Sequence, residues 1–109
     1  MRLRPDHLDA IRSACGETLP QGARLLLFGS RLDDTRLGGD IDLLVELPQA
    51  SAPSEMVDRR TRLAARLYRR LGEQRIDILM TVDPQADGGT DDRPVVQEAR
   101  RRGVELWRG

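Results

Sequence analysis

Two carboxylates alternate with aliphatic residues at the head of one apolar run, Asp40-Ile41-Asp42-Leu43-Leu44-Val45. A sequence seldom places such a pair beside an apolar core without something positive between them. Successive side chains of a strand point to opposite faces, so Asp40 and Asp42 share one face while Ile41, Leu43 and Val45 fill the other. Like charges held side by side repel. A hard cation that takes carboxylate and phosphate oxygens, Mg²⁺ above all, relieves that repulsion.

The flanking segments supply the rest of an α/β (α+β) domain. Leu8, Ile11, Cys15 and Leu19 recur at helical spacing. Ala23 to Phe28 is a short apolar run with glycine on both sides, which reads as a buried strand. The second strand runs from Asp40 to Glu46. A long helix follows from about Ser54, its expected N-cap, to Leu71. Its expected apolar stripe is Val57, Leu63, Ala64, Leu67 and Leu71, and Gly72 is its expected C-cap. Arg75 to Met80 is a third strand, and Thr81 to Pro94 is a loop. A last helix covers Val95 to Arg102 and a final strand Val104 to Trp107. With 109 residues the expectation is a single domain over 1–109, a small mixed sheet with helices packed mainly on one face.

A third carboxylate stands in similar surroundings. Asp77 lies between Ile76 and Ile78. If its strand pairs beside the second, Asp77 joins Asp40 and Asp42 on one face. Three carboxylates can hold two metals about 4 Å apart, the arrangement that supports in-line displacement at phosphorus. Asp77 is then the candidate proton acceptor. Gly29 and Ser30 end the first strand. Gly29 lets the backbone turn sharply and approach a phosphate, Ser30 adds a hydroxyl donor, and Arg31 is a candidate contact for phosphate or acceptor.

Composition narrows the chemistry. All eighteen basic residues are Arg. Without Lys there is no Schiff-base chemistry and no Walker A loop; phosphate must be handled by backbone N–H groups, hydroxyls, Arg and metal. The single His7 rules out multi-histidine metal sites, and the single Cys15 rules out an internal disulfide. Equal numbers of acidic and basic residues disfavour bulk nucleic-acid binding. The sequence contains no run that approaches a membrane span, so a cytoplasmic protein is expected.

Gly29-Ser30, a spacer of nine residues, Asp40-x-Asp42 and the later Asp77 together resemble the motif of the minimal nucleotidyltransferase family within the polymerase-β-like superfamily. The similarity runs along nearly the whole chain, and the segment from Pro94 to Trp107 looks like that family's closing helix and strand. The spacer is slightly short for the family. Gly38-Gly39 stands where such proteins often carry Pro or Ser. Both departures lie in the loop and leave the carboxylates intact.

The resemblance implies a polymerase-β-like fold. It implies Mg²⁺ held by Asp40, Asp42 and Asp77, with ATP as substrate and Gly29, Ser30 and Arg31 around its phosphates. It also implies transfer of AMP to a Tyr, Ser or Thr hydroxyl of a partner protein. Members of the family are commonly paired with a helical HEPN toxin, so the expected partner is a HEPN-type protein in a hetero-oligomer, with this chain as the antitoxin. Two other functions compete: a catalytically idle module that neutralises its partner by contact, and a nucleotidyltransferase acting on RNA. The arginines of the long helix (Arg59, Arg60, Arg62, Arg66, Arg69 and Arg70) read as a charged outer face. They would also suit docking of an acidic partner or of nucleic acid.

Overall fold

Apolar runs punctuated by glycine or proline become strands and the stretches of helical period become helices. The computed structural model describes residues 4–29, 41–72, 75–84 and 91–109. Among them the chain order is α1 (Pro5–Thr18), β1 (Arg24–Phe28), β2 (Ile41–Leu47), α2 (Pro53–Leu71), β3 (Ile76–Val82), α3 (Pro94–Arg102) and β4 (Val104–Arg108). No described helix is long and apolar enough to cross a membrane.

The four strands form one mixed sheet in the order β3-β2-β1-β4. β1 runs antiparallel to both β2 and β4. β2 and β3 are parallel, which a tight turn cannot achieve; the α2 crossover supplies the length that parallel pairing needs. The backbone N–H of Ile41 donates to the Arg75 carbonyl at 2.9 Å, and the ladder continues as far as Leu47 opposite Val82. That ladder carries the third strand beyond its expected end at Met80.

Alternation sorts the sheet into two faces. Leu25 and Leu27 of β1, Ile41, Leu43, Val45 and Leu47 of β2, and Ile76 of β3 share one core with Ile11, Ala14 and Cys15 of α1 and Leu63, Leu67 and Leu71 of α2. Burial pushes the Cys15 thiol up to about 12, as expected of a small core residue. The opposite face holds a smaller cluster, Leu26 and Leu44 beneath Val96 and Ala99 of α3. Two helices thus lie on one face and the third on the other.

Two expectations about α2 need correction. Ser54 does not cap it: Ala52 holds the N-cap position and proline occupies the first turn, where its fixed φ and missing N–H cost nothing. Val57 does not join the buried stripe and is 53% exposed. Met56, one residue earlier, packs against the core instead. At the other end Gly72 takes φ +79° and its N–H reaches the Tyr68 carbonyl at 3.1 Å, the left-handed close that glycine permits.

The α3 face is not apolar throughout. Arg24 pairs with Glu46 across β1 and β2, and Glu46 with Thr81 across β2 and β3; both Glu46 and Thr81 are buried. Arg24 Nε donates to Glu46 Oε1 at 2.8 Å, and Arg100 Nε of α3 donates to Oε2 at 2.9 Å. Arg100 Nη2 also reaches the Val82 carbonyl at 2.9 Å. The Thr81 hydroxyl donates to the Asp91 carboxylate. Arg93 Nε and Nη2 donate to Asp91 at 3.0 and 2.8 Å.

Arg93, and then the Thr81 hydroxyl, hold Asp91 well below the usual carboxylate range. A folded-state pKa below the unfolded value stabilises the fold above the unfolded pKa and ceases to do so as pH falls through the folded one. Asp91→Asn is therefore expected to lower the melting temperature at neutral pH. The gap to the parent chain should close as the pH is taken below about 4. Melting curves of both proteins across that range check it, and a gap that persists or widens in acid would contradict it.

Candidate active site

The sheet ends where β1 finishes and β2 and β3 begin, and the candidate carboxylates collect there. Asp42 is the second residue of β2 and Asp77 the second of β3, and the parallel register sets them directly opposite each other. Antiparallel pairing places Phe28, the last residue of β1, on the other side of Asp42. Paired residues on neighbouring strands share a face. Phe28, Asp42 and Asp77 therefore form one row on the α3 side of the sheet, parallel to the apolar row of Leu26, Leu44 and Leu79.

Burial is graded along this row. Phe28 is partly buried and packs against the α3-side cluster. Asp42 is half-buried, and Asp77 is exposed. One carboxylate is thus held at the sheet end and the other faces solvent beside it. Adjacent strands lie about 4.8 Å apart, so an ion bound by both carboxylates needs no large backbone movement.

Gly29 closes the row. It takes φ +80°, a left-handed conformation that other residues adopt only with strain. A Cβ placed on it would overlap the Asp42 carboxylate and lie 3.0 Å from its Cγ. The glycine is therefore needed twice, for the turn and for the space. Gly29→Ala is expected to cost about 1–3 kcal/mol, from strain at positive φ and displacement of the carboxylate. Chemical denaturation checks the cost. A substitution that leaves stability unchanged would mean the Asp42 side chain has other room.

Of the residues expected at the site, Gly29, Asp42 and Asp77 are thus brought together. Ser30, Arg31 and Asp40 lie outside the described residues. Among the described residues no group of three or more His, Cys, Asp or Glu side chains gathers as a metal cage; the carboxylates observed together are the pair. The donor set suits a hard divalent ion, being oxygen throughout and carrying excess negative charge. Phe28 stands in the same row as the carboxylates and is not among the residues that the sequence motif marks. Its position two residues after Leu26, on the alternation that carries Asp42, is the signal that places it there.

No protein-family model matches the chain, and no curated protein matches it.

Proposed function

We propose that the chain is a Mg²⁺-dependent nucleotidyltransferase of the minimal, polymerase-β-like kind, transferring AMP from ATP to a hydroxyl of a partner protein. The observation that carries this reading is the β2–β3 register, which sets Asp42 opposite Asp77, with Gly29 pressed against the Asp42 carboxylate.

In this reading Asp42 and Asp77 hold the metal, with Asp40 as the third ligand. Bound there, Mg²⁺ would neutralise triphosphate charge and act as a Lewis acid at phosphorus. Gly29 leaves the backbone bare where a phosphate must come close. Asp77 is the more exposed of the pair and so can meet an acceptor hydroxyl arriving from solvent and take its proton. With Lys absent, positive charge at the phosphates has to come from metal and Arg. The acceptor belongs to a second protein, a HEPN-type toxin in the toxin–antitoxin arrangement that the sequence motif suggests.

The test is label transfer. The chain, ATP labelled at the α-phosphate and Mg²⁺ are incubated with protein extract of its native cells, with and without a chelator and ribonuclease. Chelator-sensitive, ribonuclease-resistant label on a protein band is the expected result. Label that ribonuclease removes would move the acceptor to RNA. The absence of any metal-dependent label would leave neutralisation by contact as the better reading.

A further inference from the structure

We infer that Arg102, in the last turn of α3, binds the phosphates of the nucleotide; this rests on the nucleotidyl-transfer reading and names a source of positive charge for it. Metal and Arg are what this chain can bring to a triphosphate, since it has no Lys. Guanidinium groups and metal ions clamp phosphoryl groups in the same way, by charge aimed at their oxygens. The path of α3 over the sheet selects among the arginines.

α3 crosses the face that carries Phe28, Asp42 and Asp77. At its start Arg93 Nη2 donates to the Met80 carbonyl of β3 at 2.8 Å. At its end Gly103 lies against β1: a Cβ there would stand 3.3 Å from Leu26 Cβ and 3.3 Å from the Leu27 carbonyl oxygen. The chain then enters β4 with Val104 opposite Leu27. Leu27 is followed by Phe28 and Gly29. The last turn of α3 thus comes down beside the end of β1, where Gly29 meets the Asp42 carboxylate.

The rotation of α3 about its axis is fixed as well. Val96 and Ala99 are buried against Leu26 and Leu44. Arg93 and Arg100, seven residues apart, share one flank. Arg100 donates to Glu46, and Arg93 to Asp91, which also takes the Thr81 hydroxyl. That flank therefore faces the row of Arg24, Glu46 and Thr81. At 3.6 residues per turn, Val95 and Arg102, also seven apart, fall on the opposite flank. The opposite flank faces the row of Phe28, Asp42 and Asp77, and Arg102 is its cation, in the turn nearest Gly29.

Arg102 is available for a ligand. Its side chain is 73% exposed, and Nη1 lies 3.4 Å from Glu98 Oε1 one turn back. An exposed pair of this kind contributes little. A phosphate offers the guanidinium two oxygens in a stronger, charge-assisted contact. Arg101 supplies an internal control. It pairs with the same Glu98 and gains equally from the dipole at the helix end, but it lies on the side of α3 turned away from the sheet. Arg100 is already held by Glu46.

The experiment is calorimetric titration of the full chain with MgATP, with a melting curve for each variant. Arg102→Ala is expected to weaken MgATP binding at least about tenfold, the loss of one charged hydrogen-bonding partner. Its melting temperature and its thermal response to Mg²⁺ alone should match the parent's, because the carboxylates hold the metal. Arg101→Ala is expected to stay within about twofold of the parent. Arg102→Lys keeps the charge without the planar fork and should recover part of the affinity. Equal affinity in Arg102→Ala and the parent would overturn the inference and leave the nucleotidyl-transfer reading standing. So would equal losses in Arg101→Ala and Arg102→Ala, which would reduce the effect to general charge. A parent chain that binds no MgATP would overturn both, a result seen without any variant.

Discussion

Asp42→Asn is expected to lower nucleotide transfer at least about 100-fold. A carboxylate that binds the catalytic metal contributes several kcal/mol to stabilising charge in the transition state, and each 1.4 kcal/mol is a factor of ten in rate. Asparagine keeps the shape and one acceptor oxygen of aspartate and removes the charge. The neighbouring Asp77 then loses a like-charged partner directly opposite, a contact that destabilises a sheet. Stability is accordingly expected to stay within about 1 kcal/mol of the parent chain. The diagnostic is linkage. Mg²⁺ raises the melting temperature of a protein that binds it only when folded, so the parent chain should gain thermal stability with added Mg²⁺ and the variant should not. Transfer by the variant at the parent rate would remove Asp42 from the chemistry. A Mg²⁺ response that survives would place the ion elsewhere.

Glu46→Ala should be the most damaging single change on the polar side of the α3 face. Glu46 is 4% exposed and takes hydrogen bonds from Arg24 and Arg100. Removing one partner from a buried ion pair strands the others and typically costs 3–5 kcal/mol. The side chains of Arg24 and Arg100 are 30% and 19% exposed, so water recovers part of that, and about 2–4 kcal/mol is expected. For a chain of this size that is a fall of on the order of 10–25 °C in melting temperature. A double-mutant cycle with Arg100→Ala separates the pair from its surroundings and is expected to show coupling of about 1–3 kcal/mol. Additive effects, or a Glu46→Ala protein as stable as its parent, would mean that solvent carries the pair.

The two sites occupy opposite ends of one face for a reason visible in the register. Phe28, Asp42 and Asp77 form the first row, Leu26, Leu44 and Leu79 the second, and Arg24, Glu46 and Thr81 the third. α3 covers the apolar middle row, and Arg100 pins it to the charged row. The carboxylate pair is left uncovered enough for Asp77 to meet solvent. Loss of the Glu46–Arg100 pair is therefore expected to change stability, and loss of Asp42, on the proposed function, to change chemistry.

Much of this was legible in the chain itself. The alternation Asp40-Ile41-Asp42-Leu43, the apolar runs and the glycine and proline breaks predict the order of helices and strands. Cys15, Leu63, Leu67 and Leu71 recur at helical spacing and are buried. Boundaries were less legible, because a strand's end depends on its neighbour: Thr81 and Val82 are held in β3 by pairing with β2, although by composition they begin a loop. Val57 fits a helical repeat that tolerates a one-residue shift, and Met56 takes the inward position. Glu46 reads locally as a strand terminus, since local pattern says nothing of Arg24 and Arg100 converging on it.

Gly29, Asp42 and Asp77 are separated by long stretches of chain, and only their residue types and spacing marked them as one site. Composition and alternation determined that the carboxylates would head apolar strands and share a face with others of their kind, since the pleat fixes side-chain direction with a period of two. Which strand lies beside which is a long-range matter, decided by the α2 crossover that makes β2 and β3 parallel neighbours and by the burial both faces gain from that order. A register shifted by one residue would have turned Asp77 into the core. Tertiary structure alone set it opposite Asp42.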